Sequence, residues 1–385
     1  MRQLWTTLRG GQAIRRRGRA PGASGDLRPL VLVAVVTLLV TACGGTGSGG
    51  AAAGTSPAAS GRTFLGCLVT DTGGINDRSY NASAWQGMQA AAAADPHIQV
   101  RYLQSTTSSD YVPNIRAFET QHCGIIVTLS FLMAAATESA AKANPHQRFT
   151  IEDYIYSPAL PNVVGAFYAT NQDAFLGGYL AAAMSPSHVV GTFGGIDIPP
   201  VTLYMNGFVA GVRYYNLHNH AHVKVLGWNP AKNTGIFTGS FTDQNAGRLD
   251  AITLMNAGAD VIFPVAGSVG LGAAAAVQAA GAPHTMEWVD TDGCISAPQY
   301  CGIFLTSVTK GVAVSVKAAV LSAAAGTFKG GTYTGTLANG GVALSPFHDF
   351  ASKVPASVAA ALQTIKQGIE AGTISVNPAS YPATS

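Results

Sequence analysis

Residues 64–94 read FLGCLVTDTGGINDRSYNASAWQGMQAAAAA. The first six, Phe64 to Val69, form an unbroken apolar run of strand length. From Ala82 onward the chain is alanine-rich and helix-forming. Between the two lie Asp71, the glycines Gly73 and Gly74, Asp77, Tyr80 and Asn81. This reads as a buried strand, a polar turn and a helix. In open α/β sheets, ligands collect at the carboxyl ends of strands, which is where this polar set falls.

The same alternation continues along the chain. Strand-like runs fall at 64–69, 98–103, 124–129, 148–152, 163–168, 189–193, 223–228, 261–265, 286–290 and 303–306. Helical runs fall between most of them, at 82–94, 111–121, 133–143, 173–184, 201–216, 243–256, 271–280 and 310–324. Strands that are apolar throughout and alternate with helices predict parallel sheets covered on both faces. Ten strands are many for one such sheet, so two α/β lobes are expected. No sequence repeat relates the halves.

The chain has 385 residues, of which 48% are hydrophobic and only 11% charged. That supports two ordinary cores and excludes a disordered chain. Seven arginines and one acid, Asp26, lie before residue 43. An apolar run of about eleven residues follows them, from Leu30 to Val40, short for a membrane span. Val40-Thr41-Ala42-Cys43 then resembles a bacterial lipobox, predicting removal of 1–42 and lipidation of Cys43. The Gly/Ala/Ser/Thr stretch over 43–61 reads as a flexible tether. Without the leader, the body has a net charge of about −3 and no basic stripe, which argues against a nucleic-acid partner.

The other four cysteines are Cys67, Cys123, Cys294 and Cys301. In an exported chain they read as two disulfides or as free buried thiols. Cys294 and Cys301 bracket a short loop, and neighbouring strands bring Cys67 towards Cys123. No C-x-x-C occurs, so neither a redox nor a zinc site is expected.

Gly267 to Gly272 reads G-S-V-G-L-G, a spacing unlike a dinucleotide loop, and no cofactor is expected. Asp290 and Asp292 offer carboxylates for vicinal hydroxyls or a metal, with Lys310 as a donor or counter-ion; a helix cap and surface ion pair is the plainer alternative. His218, His220 and His222 alternate, but in a polar stretch that reads as loop, not as a metal site. No nucleophile elbow, H-E-x-x-H or P-loop is present, so no enzyme is indicated.

Residues 71–85 resemble the signature D-x-G-G-I-D-D-K-S-F-N-x-S-A-W of the basic membrane protein lipoproteins, the PnrA/TmpC-like substrate-binding proteins of ABC importers. The resemblance continues through NVVGAFYATNQDAFLGGYLAA (162–182), FGGIDIPPVTLYMNGFVAGV (193–212), GSFTD (239–243), GADVIFPVAGSVGLG (258–272), WVDTD (288–292) and LTSVTK (305–310). It implies a type I periplasmic-binding fold with two Rossmann-like lobes closing on a ligand, and a purine nucleoside as that ligand. The N-terminal lobe is then expected at 62–168 and 305–328, and the C-terminal lobe at 169–304 and 329–385.

By the same resemblance, Asp71, Asn76, Tyr80 and Asn81 line the cleft from the first lobe, with Tyr80 stacking on the base. Tyr204 stands at the facing aromatic position, and Gly267, Asp290 and Lys310 match ribose-binding positions. Asn76 replaces an acid of the signature, and Ala135 stands where the family often has an Asp suited to base recognition. The implied partners are a small-molecule ligand, permease subunits and the extracytoplasmic face of the cell membrane, with the protein a lipid-anchored monomer. The alternatives are a ligand sensor serving a membrane receptor, a binder of some other small molecule, and a hydrolase on the same scaffold.

Overall fold

The computed structural model describes residues 63–383; the leader, Cys43 and the tether lie outside them. Two six-stranded sheets dominate. The first lobe is built from β1 (Phe64–Val69), α1 (Tyr80–Ala94), β2 (Ile98–Leu103), α2 (Tyr111–Thr120), β3 (Ile125–Leu129), α3 (Ala134–Ala143), β4 (Phe149–Glu152) and β5 (Val163–Tyr168). The second continues with α4 (Thr170–Met184), β6 (Val189–Gly194), α5 (Pro199–Asn219), β7 (Lys224–Leu226), β8 (Trp228–Asn229), β9 (Thr234–Gly235), α6 (Gln244–Asn256), β10 (Val261–Val265), α7 (Val269–Ala280), β11 (Thr285–Asp290), α8 (Gly293–Ser296) and β12 (Phe304–Lys310). Then come α9 (Val312–Ala324), β13 (Gly331–Gly335), β14 (Val342–Leu344) and α10 (Ala356–Glu370).

The strand orders are β13-β5-β4-β3-β1-β2 and β14-β12-β11-β10-β6-β7. Every pairing within the two sheets is parallel except β12 with β14. The central strands are apolar because both faces are covered: β3 and β10 are buried along their whole length. In the second lobe, Met286, Trp288 and Phe304 pack with α7 on one face, while Val289, Leu305 and Val308 join the larger core on the other. α5 opens with Pro199 and Pro200, whose missing N–H groups cost nothing in a first turn.

The chain passes between the lobes at 168–170, 310–312 and 335–342. This corrects the boundary expected from sequence. Residues 304–310 pair with β11 and belong to the second sheet, whereas β13 is an edge strand of the first. α9 then packs on α1 in the first lobe. Apolar patterning cannot reveal which of two similar sheets a buried strand joins, and that decides this boundary.

Cys67 is joined to Cys123 and Cys294 to Cys301, with Cα separations of 6.0 and 4.5 Å. Among the described residues, no helix is long and apolar enough to cross a membrane.

Candidate functional site

The turns at the carboxyl ends of the strands meet between the lobes and enclose a cavity of about 50 Å³. Small-molecule sites usually measure ~300–1,000 Å³, so the lobes are closed here more tightly than around a bound ligand. Four residues following or ending strands here have left-handed backbone: Ser130 (φ 86°), Asp153 (65°), Gly267 (57°) and Asp290 (66°). Three of them are not glycine, and such strain tends to persist where a site holds it in place.

On the first lobe, Asn81 lies between two acids. Its Nδ2 donates to Asp71 Oδ1 (2.7 Å) and Asp77 Oδ2 (2.9 Å), and its Oδ1 accepts from the Asp71 N–H (3.2 Å). Asp77 also accepts from the N–H groups of Ser79, Asn81 and Ala82, so its carboxylate caps α1. Asp71 Oδ1 takes a further bond from Gly73 N–H (2.8 Å), while Oδ2 has no protein partner among the described residues. Burial pushes the Asp71 carboxyl up to about 7 against the pull of Asn81 and Gly73, and burial likewise raises Asp77.

On the second lobe, Asp290 Oδ1 accepts from the Tyr204 hydroxyl (3.1 Å) and lies 3.3 Å from Lys310 Nζ. Lys310 Nζ also donates to Asp153 Oδ2 of the first lobe (2.8 Å). Burial disfavours the lysine's charge, but Asp153 and Asp290 outweigh it and hold the pKa above the ordinary lysine range. The ammonium lies 4.5 Å from the centre of the Tyr80 ring and 5.5 Å from that of Tyr204.

Several bonds tie the lobes directly. Ser79 Oγ donates to Asp290 Oδ2 (2.7 Å) and to the Val289 carbonyl (3.1 Å). The Arg78 carbonyl accepts from Trp288 Nε1 (3.3 Å) and Thr291 Oγ1 (2.9 Å).

Asp71, Tyr80, Asn81, Tyr204, Gly267, Asp290 and Lys310 therefore all line one cleft. Asn76 does not: it is exposed, and its neighbour Asp77 turns inward instead. Ala135 is exposed on α3, outside the lining, so the acid missing there removes no group from this cavity. The two tyrosines flank Lys310, and the Tyr204 hydroxyl is committed to Asp290.

Asp77, in the polar turn after the first strand, and Ser130, just after the third, also line the cleft, and sequence reasoning missed Asp153 and Phe241 there. Phe241 was legible as a lone aromatic in the small polar stretch Gly239 to Asp243. Asp292 turns away from Asp290, capping α8 and pairing with His348 Nε2 (2.7 Å). Among the described residues, the one grouping with metal-ligand geometry is Asp292, Cys294 and His348, but that sulfur is in a disulfide. His218 stacks on Tyr214 in α5, and His220 ends that helix. Gly272 lies where α7 meets α6, and a Cβ there would strike the Gln244 carbonyl, so this glycine serves helix packing.

Residues 65–375 match the Bmp family, described as "ABC transporter substrate-binding protein PnrA-like". The chain belongs to that family. Its members are substrate-binding proteins, not enzymes. The chain is 30% identical over 317 residues to the ABC transporter nucleoside-binding protein BmpA of Lactococcus lactis subsp. cremoris, covering 78% of this chain and 86% of the relative. It is 28% identical over 323 residues to an uncharacterized lipoprotein of Pyrococcus horikoshii, covering 80% and 74%. Its fold matches a crystal structure of an ABC transporter solute-binding protein from Aeropyrum pernix K1 with a TM-score of 0.73 at 23% identity, covering 81% of this chain and 92% of that one. For this Bmp-family chain, the comparison adds the type I solute-binding architecture to the sheet order described above.

Proposed function

We propose that this Bmp-family protein captures a nucleoside, in the first place a purine nucleoside, between its closing lobes and delivers it to an ABC permease. Cys43 carries the lipid anchor, on the extracytoplasmic face of the bacterial membrane, and the protein acts as a monomer.

The observation that carries this reading is the pairing of chemistries across one cleft. Asp71 presents an unpartnered carboxylate oxygen, suited to ring N–H or hydroxyl donors. The facing lobe offers Asp290 and Lys310, a carboxylate and an ammonium suited to a diol. Phe241 and Tyr80 add aromatic surface to the same lining, suited to a flat base. Two further facts support it: the named activity of the Lactococcus relative and, for the anchor, the Pyrococcus relative's designation as a lipoprotein.

The test is a thermal-shift screen of the body from residue 62 onward against purine and pyrimidine nucleosides, free bases and sugars. A ligand that binds only the folded state raises the melting temperature. Purine nucleosides are expected to do so. A shift with pyrimidine nucleosides alone or sugars alone would keep the receptor and overturn the ligand.

A further inference from the structure

We propose that the cleft continues into a second, apolar compartment, and that the ligand is a nucleoside carrying one apolar substituent that fills it. The inference rests on the nucleoside reading above.

Beside the cleft lies an open groove of about 270 Å³. Asp153 and Pro200 line both spaces, so the groove begins where the cleft ends. Its first-lobe wall is Phe131, Tyr154, Ile155 and Phe167, and its second-lobe wall includes Leu203. The wall is ordered: Phe131 packs edge-on against Tyr154 at 5.5 Å, and Tyr154 against Tyr156 at 4.9 Å. Ile155 is 43% exposed and Phe167 36%. Single exposed apolar residues are ordinary, but a contiguous patch of them at a cleft marks a binding surface.

The chemistry of the occupant follows from what the groove lacks. Its one charged lining residue is Asp153, whose Oδ2 is already bound to Lys310. The lining holds no cation, so a phosphate or carboxylate would find no counter-charge there, whereas an aryl or alkyl group would be stripped of water on both sides. Because the walls belong to different lobes, such a substituent contributes to closure as well as filling space.

The experiment is calorimetric titration of the tethered body with adenosine, N6-benzyladenosine and 5′-O-benzyladenosine. It uses the native protein and the variants Ile155→Asp and Leu203→Asp, whose melting temperatures report folding. In the native protein, one benzyl derivative is expected to bind at least about tenfold more tightly than adenosine. In the folded variants that gain is expected to vanish while adenosine affinity holds. Equal affinity of all three ligands, or a gain that survives in both variants, overturns the second compartment and leaves the nucleoside reading standing. If none of the three binds, the nucleoside reading falls and takes this inference with it.

Discussion

The cleft and the core behind it hold more buried acids than buried cations. Glu287 on β11, like Asp173 on α4, is fully buried with neither carboxylate oxygen hydrogen-bonded. Burial pushes Glu287 up to about 8, and pushes Asp71 and Glu152 up to about 7. These acids keep protons in the folded chain that the unfolded chain releases near pH 4. Stability contributed by them is therefore greatest at low pH and is lost as pH rises through about 7 to 8. The ligand-free body should melt at a higher temperature at pH 5.5 than at pH 8, and Glu287→Gln should flatten that dependence by raising the pH 8 value. A melting temperature that climbs with pH over this range would sink the argument. Phe241 makes the second residue-scale case. It is half-buried at the cleft, so Phe241→Ala should weaken nucleoside binding by about tenfold, near 1.4 kcal/mol, with little change in melting temperature. Calorimetric titration decides it.

At the scale of elements, the buried strands β1, β3, β4 and β5 were readable because they are largely apolar on both faces, and each ends where its apolar run ends. β13 was not readable. Gly331–Gly335 is a short edge strand with little apolar content, and only its neighbour β5 defines it. α10 was overlooked although Leu362, Ile365 and Ile369, its buried residues, follow helical spacing after Pro355. The cleft acids divide the same way. Asp71 and Asn81 were legible from the turn that follows β1, but Asp153 follows a different strand, β4, and joins them only through the sheet order. The disulfides give an element-scale prediction. Cys67–Cys123 ties β1 to the entry of β3 across 56 residues, while Cys294–Cys301 closes a loop of seven. Removing the first with paired alanines should cost about 2–4 kcal/mol in denaturant unfolding, and removing the second should cost less.

For the whole molecule, closure is held by bonds that need no ligand, among them the Lys310–Asp153 ion pair and Ser79 Oγ to Asp290 Oδ2. Ser79→Ala removes a buried bond to a charged acceptor, worth roughly 1.5–3 kcal/mol. The lobes of the ligand-free variant should then separate, giving a larger radius of gyration in solution scattering and a weaker apparent affinity. An unchanged radius would mean that the remaining contacts hold the lobes by themselves. Three chain crossings confine any such opening to a hinge-like path. Trp288 lies on that path: it is fully buried in the second lobe, yet its indole N–H reaches the Arg78 carbonyl of the first. The chain has four tryptophans, so ultraviolet emission offers an internal gauge of this movement without an attached dye. Quenching or a wavelength change on adding a candidate cargo would report, in real time and on unlabelled protein, that the jaws had moved.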